Sequence, residues 1–341
     1  MKRFVKIIAL CLISALLFTG CGSNNYSSTV AATYGDKTVY LDEANFWLRY
    51  FQQTYESYYG TYFSYYGITD MWSQSSGNRT QTYAESAREQ VMAEYLQAFI
   101  LLDHAADYDI TLTEEDQKKI EEAADSIMAS TSFLELAKES DLTKEKLIDW
   151  IGTRSQALKV YEGVKAQAPN VSVSDEDADS FSVNYFLVYS STSLKESDFA
   201  KLAGNEDSTD ETAIEGEALA KRLEDCLKNG VEYDKIKEAF TSLTANSAAY
   251  RYADTNNSSI LYSKAKEMKE GEVQIIEASG NYYVMQMKDL HDEHETAHAR
   301  EDLEDEQRVD YFNEVLAEWK KAAKEFSVKS SFKNLKMSSA S

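Results

Sequence analysis

Apolar positions along this chain recur every three or four residues through the first half and switch to two-residue alternation in parts of the second. That switch predicts helices followed by a sheet, because side chains repeat direction with a period of about 3.6 in a helix and 2 in a strand. Residues 30–41 alternate weakly around Gly35-Asp36 and predict a small hairpin or extended segment. Asp42 is expected to cap a helix with Trp47, Leu48, Phe51, Tyr55 and Tyr58 on its apolar face. Residues 59–72 are aromatic and punctuated by Gly60 and Gly67, which predicts a loop or broken helix with a sticky face. A long helix is expected over about 82–106, with Val91, Tyr95, Phe99 and Leu102 inward. Thr113 caps the next, with Ile120, Ala124 and Ile127 buried, and Phe133, Leu134 and Leu136 mark a short one. Thr143 caps a helix carrying Leu147, Trp150, Ile151, Leu158 and Tyr161.

The pattern changes after Pro169, the single proline of the chain, and that change predicts a domain boundary. Residues 182–189 are β-branched and aromatic and predict a buried strand; 190–213 read as a polar, acidic loop. A helix over 214–228 is expected to stop at Asn229-Gly230, and another to cover 233–240. Strands over 272–276 and 282–287 flank the turn Ala278-Ser279-Gly280-Asn281. A last long helix is expected over 301–326, with Val309, Phe312, Leu316 and Trp319 on one stripe, and Val328 opens a short tail. The fold class predicted is α+β with an antiparallel sheet and no internal repeat.

Composition adds a location. Lys2 and Arg3 precede an apolar run over 4–18 and then Thr19-Gly20-Cys21. A short basic, apolar, small-residue series is a secretion signal rather than a membrane span. A cysteine directly after small residues makes it resemble a lipoprotein signal, which implies acylation of Cys21 and anchoring on the extracytoplasmic face of the cell membrane. Phe18 stands where such signals most often have leucine. Residues 22–28 are small and polar and read as a tether. The remainder, roughly 310 residues, is long enough for two domains. The net charge of −23 argues against nucleic-acid partners and against a broad grip on anionic lipid heads, while 43% hydrophobic content supports a true core. Cys226 is left alone, so no intrachain disulfide is expected, and its helical setting suits a small hydrophobe better than a nucleophile.

Three stretches carry a resemblance in the second half: Val183-Asn184-Tyr185-Phe186-Leu187-Val188, then residues 228–236 with Gly230 and Tyr233, then Gly271-Glu272-Val273 with residues 281–287. They look like the first strand, second helix and closing turn and strand of a parvulin, the fold of one class of peptidyl-prolyl isomerases. With the opening Tyr34-Gly35-Asp36-Lys37-Thr38-Val39-Tyr40-Leu41-Asp42-Glu43 and the helical first half, the order resembles the SurA/PrsA group of extracytoplasmic chaperones. The resemblance implies a signal over 1–20, a tether over 21–29, a helical chaperone lobe over 30–168, an inserted parvulin-like α+β domain over 169–290, and a helix and tail over 291–341 returning to the helical lobe. It implies a membrane-anchored foldase or holdase for unfolded or extended secreted polypeptides, without a cofactor. Tyr55, Tyr58, Tyr62, Phe63, Tyr65 and Tyr66 are the client-binding candidates, since aromatic rings bury large areas with few rotatable bonds.

The departures from the family pattern bear on activity. Tyr185 and Tyr283 stand where parvulins place histidines, Leu243 near their cysteine or aspartate, and Asn257 and Leu261 near the methionine and phenylalanine of the proline pocket. These replacements favour a parvulin scaffold with impaired or absent isomerisation; the alternative is an active isomerase. A less favoured alternative is a zinc metallopeptidase through His294-Glu295-Thr296-Ala297-His298, an HExxH pattern set in strongly charged surroundings that suit a solvated helix start. His104 is expected on a helix surface.

Overall fold

The computed structural model describes residues 26–77 and 80–337, which divide into two compact units. One takes the chain up to Ala168 together with Tyr311 onwards, and the other is Pro169–Asp310. Cys21 and its signal lie outside the described residues. The mixed helix and sheet is the α+β class the pattern implies.

The first unit opens with β1 (Val30–Tyr34) and β2 (Lys37–Tyr40), paired antiparallel about Gly35, whose φ of +56° suits a residue without a Cβ. Five helices follow: α1 (Leu41–Tyr65), α2 (Tyr83–Asp103), α3 (Glu114–Ala129), α4 (Thr131–Ser140) and α5 (Lys144–Ala166). Thr82, Thr113 and Thr143 cap α2, α3 and α5, each hydroxyl accepting a backbone N–H three residues on. Asp42 does not cap α1. It lies one residue inside the helix, fully buried, with Lys146 Nζ at 2.5 Å. The same ammonium reaches the Ser27 carbonyl at 2.9 Å and sits 4.6 Å from the centre of the Tyr40 ring. The Glu43 carboxyl accepts the Tyr40 N–H at 3.2 Å. Burial lifts that carboxyl to about 7, outweighing the N–H contact that favours its charged form. The aromatic segment expected to break at residue 59 stays helical to Tyr65, and Gly60 is carried inside α1 with open space where a Cβ would stand. Leu158, named for the stripe of α5, is half exposed; Leu147 of that stripe is buried, together with Ala157, Val160 and Val164.

The second unit begins with α6 (Asp175–Ala178) and is built on a four-stranded antiparallel sheet. In chain order come β3 (Ser180–Val188), β4 (Ser193–Lys195), α7 (Glu196–Leu202), β5 (Ala213–Glu215), α8 (Gly216–Lys228), α9 (Tyr233–Ala239), β6 (Thr244–Arg251), α10 (Ile260–Ala265), β7 (Val273–Ala278) and β8 (Asn281–Asp289). The sheet order is β6-β3-β8-β7. Ser279 and Gly280, with φ of +53° and +73°, turn β7 tightly into β8. Segment 190–213 is not simply a loop: β4 and β5 pair, and Leu194, Phe199 and Ile214 pin it to the core.

Because side chains alternate along a strand, the sheet buries two separate sets. Phe186, Val188 and Val284 face Leu219, Leu223 and Leu227 of α8 and Ile236 of α9. Phe181, Val183, Met285 and Met287 face Tyr262 and Ala265 of α10. α11 (Glu293–Ala322) begins before the expected position 301. Phe326 and Val328 belong not to that helix or a tail but to β9 (Phe326–Val328), which adds antiparallel to β1. A final turn, α12 (Ser330–Lys333), buries Phe332 in the core of the first unit, beside Phe312 and Leu316 of α11.

Candidate functional site

Two regions carry the sequence-derived site residues. On the sheet, β3 and β8 are adjacent and antiparallel, with Tyr185 opposite Met285 and Leu187 opposite Tyr283. Tyr185 and Tyr283 therefore lie diagonally on one face, their ring centres 5.8 Å apart. Burial, followed by the neighbouring Tyr283 and Tyr189, raises the Tyr185 phenol, so it is a neutral hydrogen-bond donor at ordinary pH. Leu261 of α10 packs into the same cluster, half-buried. Asn257 is occupied locally, its side-chain oxygen accepting the Ser259 N–H at 3.0 Å. Leu243 is a correction: it is buried with Phe240 and Leu227 on the face covered by α8 and α9, opposite to the tyrosine pair.

This face holds more aromatic surface than the sequence suggested. Tyr250 and Tyr252, on and just beyond β6, and Tyr262 of α10 surround Phe181, with ring centres 4.7–6.0 Å from it. Neither β6 nor α10 is marked by apolar alternation, so only the tyrosines themselves signalled the cluster.

The second region is the C-terminal half of α1. Tyr58, Tyr59, Tyr62, Tyr65 and Tyr66 are 48–84% exposed and recur at helical spacing, so one sector of the helix presents a continuous aromatic stripe. Two of the candidates named from sequence do not belong to it. Phe63 is buried, edge-on to Tyr83 at 5.6 Å. Tyr55 is half-buried among Phe51, Tyr59, Trp72 and Tyr83, and burial, ahead of its tyrosine neighbours, pushes its phenol up to about 12. These inward rings hold the stripe in place from below. Glu56 fixes the following loop, accepting the Trp72 indole N–H at 2.6 Å.

No known sequence family matches the chain, and no curated protein is similar to it in sequence. Among solved structures it is similar to the peptidylprolyl isomerase PrsA of Bacillus cereus, at 15% identity and a TM-score of 0.29 over 73% of this chain and 88% of that one. It is also similar to PrsA of Bacillus anthracis, at 15% identity and a TM-score of 0.26 over 67% and 95% of the two chains. The foldase PrsA of Streptococcus pneumoniae gives 14% identity and a TM-score of 0.29 over 73% and 88%.

The remaining sequence candidates are exposed or structural. His294 and His298 lie in the first turns of α11, both exposed, and among the described residues no three His, Cys, Asp or Glu side chains gather as a metal cluster. His104 is not a plain surface residue: it lies flat on Trp319 at 3.9 Å, with Nδ1 2.8 Å from Asp107. Burial raises the half-buried Cys226 thiol, which suits packing rather than nucleophilic attack. Among the described residues no helix is long and apolar enough to cross a membrane.

Proposed function

We propose that this protein is a lipid-anchored, extracytoplasmic holdase or foldase that binds extended polypeptide segments along the tyrosine stripe of α1. The observation that carries the reading is the stripe itself. Five large aromatic side chains stand in solvent on one helix face, above rings that are packed and hydrogen-bonded. A contiguous exposed aromatic surface of this kind marks an interaction site, and rigid rings accept varied apolar partners at small entropic cost. The acidic balance of the chain keeps such a surface soluble and favours basic or unfolded clients over acidic ones.

The second unit is read as a parvulin-like scaffold that is poor at isomerisation. Twisting an imide needs a dry pocket and directed polar groups. Here Tyr185 and Tyr283 pack against each other, Asn257 is tied into its own loop, and Leu243 lies on the other face. The anchor rests on Cys21 and its signal-like context. The test is aggregation of a reduced, unfolded secreted protein with the soluble chain added in increasing amounts. Suppression at near-stoichiometric ratio supports the reading, and aggregation unchanged at tenfold excess rejects it.

A further inference from the structure

The first turns of α11 carry two histidines that the proposed function leaves unused. The Nε2 atoms of His294 and His298 stand 3.3 Å apart, with the rings edge to face at 4.5 Å. Zinc–imidazole bonds of about 2.0–2.1 Å at a tetrahedral angle place two ligating nitrogens roughly 3.3–3.4 Å apart. The two nitrogens thus already have the separation that one metal ion would impose.

The backbone beneath them is fixed. Asp292, buried just before the helix, accepts the Glu295 N–H at 3.1 Å and the Ser182 hydroxyl at 2.6 Å. Its own N–H donates to the Ser180 carbonyl at 2.7 Å, and Thr296 Oγ1 accepts the Ser180 N–H at 3.1 Å. The start of α11 is therefore stapled to β3, and a chelating pair on it is pre-organised. Glu295 lies 3.4 Å from Nδ1 of His294. A carboxylate on Nδ1–H leaves Nε2 as the free lone pair, the usual arrangement behind a metal-bound histidine.

We infer that His294 and His298 form a surface chelate for a first-row divalent cation of the zinc or nickel type, with its remaining positions open to water or to a donor from another molecule. The HExxH spacing is used here for binding, not hydrolysis. A peptidase centre would need a third protein ligand, and no three-ligand cluster exists among the described residues.

The test is calorimetric titration of the chelator-treated full chain with zinc chloride, in excess magnesium to occupy weak carboxylate sites. One saturable equivalent is expected at pH about 7.5. His294→Ala and His298→Ala should each weaken binding at least about tenfold. His291→Ala should leave it unchanged, since His291 is held by Asp179 at 2.9 Å. Metal should raise the melting temperature of the wild type but not of His294→Ala, while the metal-free proteins melt alike. Wild-type affinity retained in either histidine variant, or no saturable site in the wild type, overturns the assignment. Zinc-dependent cleavage of casein that these variants lose would overturn the two-ligand site in favour of a peptidase.

Discussion

Replacing Tyr58, Tyr62, Tyr65 and Tyr66 together by serine should cripple client binding and leave the fold standing. At about 200 Å² per tyrosine side chain, exposures of 48–84% over the five rings amount to roughly 600 Å² of aromatic surface. At about 25 cal/mol per Å², covering all of it would release on the order of 15 kcal/mol, most of which is consumed by lost translational and rotational freedom. The expected result is weak, promiscuous binding in which each ring contributes about 1 kcal/mol, or about fivefold. Because neighbouring rings are not additive, the fourfold variant should need between about ten and a hundred times more protein for equal suppression of aggregation. Phe63→Ser is the contrast: it removes a buried ring that packs on Tyr83 and should cost about 3–5 kcal/mol of stability. Light scattering with an unfolded client reads the first effect and urea denaturation the second. If the fourfold variant suppresses aggregation as well as the wild type while remaining folded, the stripe is not the client surface.

Other outcomes follow from particular contacts. Lys146→Met leaves the buried Asp42 carboxylate unpaired and should cost about 3–5 kcal/mol in urea unfolding, much of it recovered by adding Asp42→Leu. The Glu43 carboxyl, ordinarily near 4.5, is held at about 7, so the folded chain keeps a proton that the unfolded chain releases. Stability should therefore fall as pH rises from about 4.5 to about 7 and level off above, and Glu43→Gln should flatten that slope by at most about 3 kcal/mol. Cys21→Ala should move the protein from the membrane to the soluble fraction, because stable attachment depends on the acyl chains; unchanged membrane retention in fractionation would count against the anchor. Catalysis of cis/trans exchange in a Xaa-Pro peptide should be negligible, and a rate typical of active parvulins that Tyr185→Phe or Tyr283→Phe abolishes would falsify the impaired-scaffold reading.

What was legible in the sequence was whatever local chemistry decides. Thr82, Thr113 and Thr143 announce helix starts because a hydroxyl satisfies an N–H three residues away. β3, β7 and β8 declare themselves through β-branched and aromatic residues and a Ser-Gly turn. β6 reads Thr-Ala-Asn-Ser-Ala-Ala-Tyr-Arg and declares nothing; it is an edge strand made by pairing along β3, a partner distant in sequence. β9 exists for the same reason, completing a sheet begun at Val30. Asp42 looked like a cap because its true role depends on Lys146, more than a hundred residues later.

The site was harder to read than the fold because aromatic content does not tell inside from outside. Tyr62 and Phe63 are adjacent in one helix, yet one stands in solvent and the other under Tyr83, and only the position of α2 separates them. The same holds for the sheet. Tyr185 and Phe186 are neighbours assigned to different cores, so an alignment that is right to within one residue still leaves the face undecided. Leu243 shows the consequence: the parvulin resemblance puts it near the tyrosine site, while its packing against Phe240 puts it on the opposite side. Tyr185, Tyr283 and Leu261 do share a face. A test of isomerisation should therefore be aimed at those three, because a change at Leu243 would report on the core beneath α8 and α9 instead.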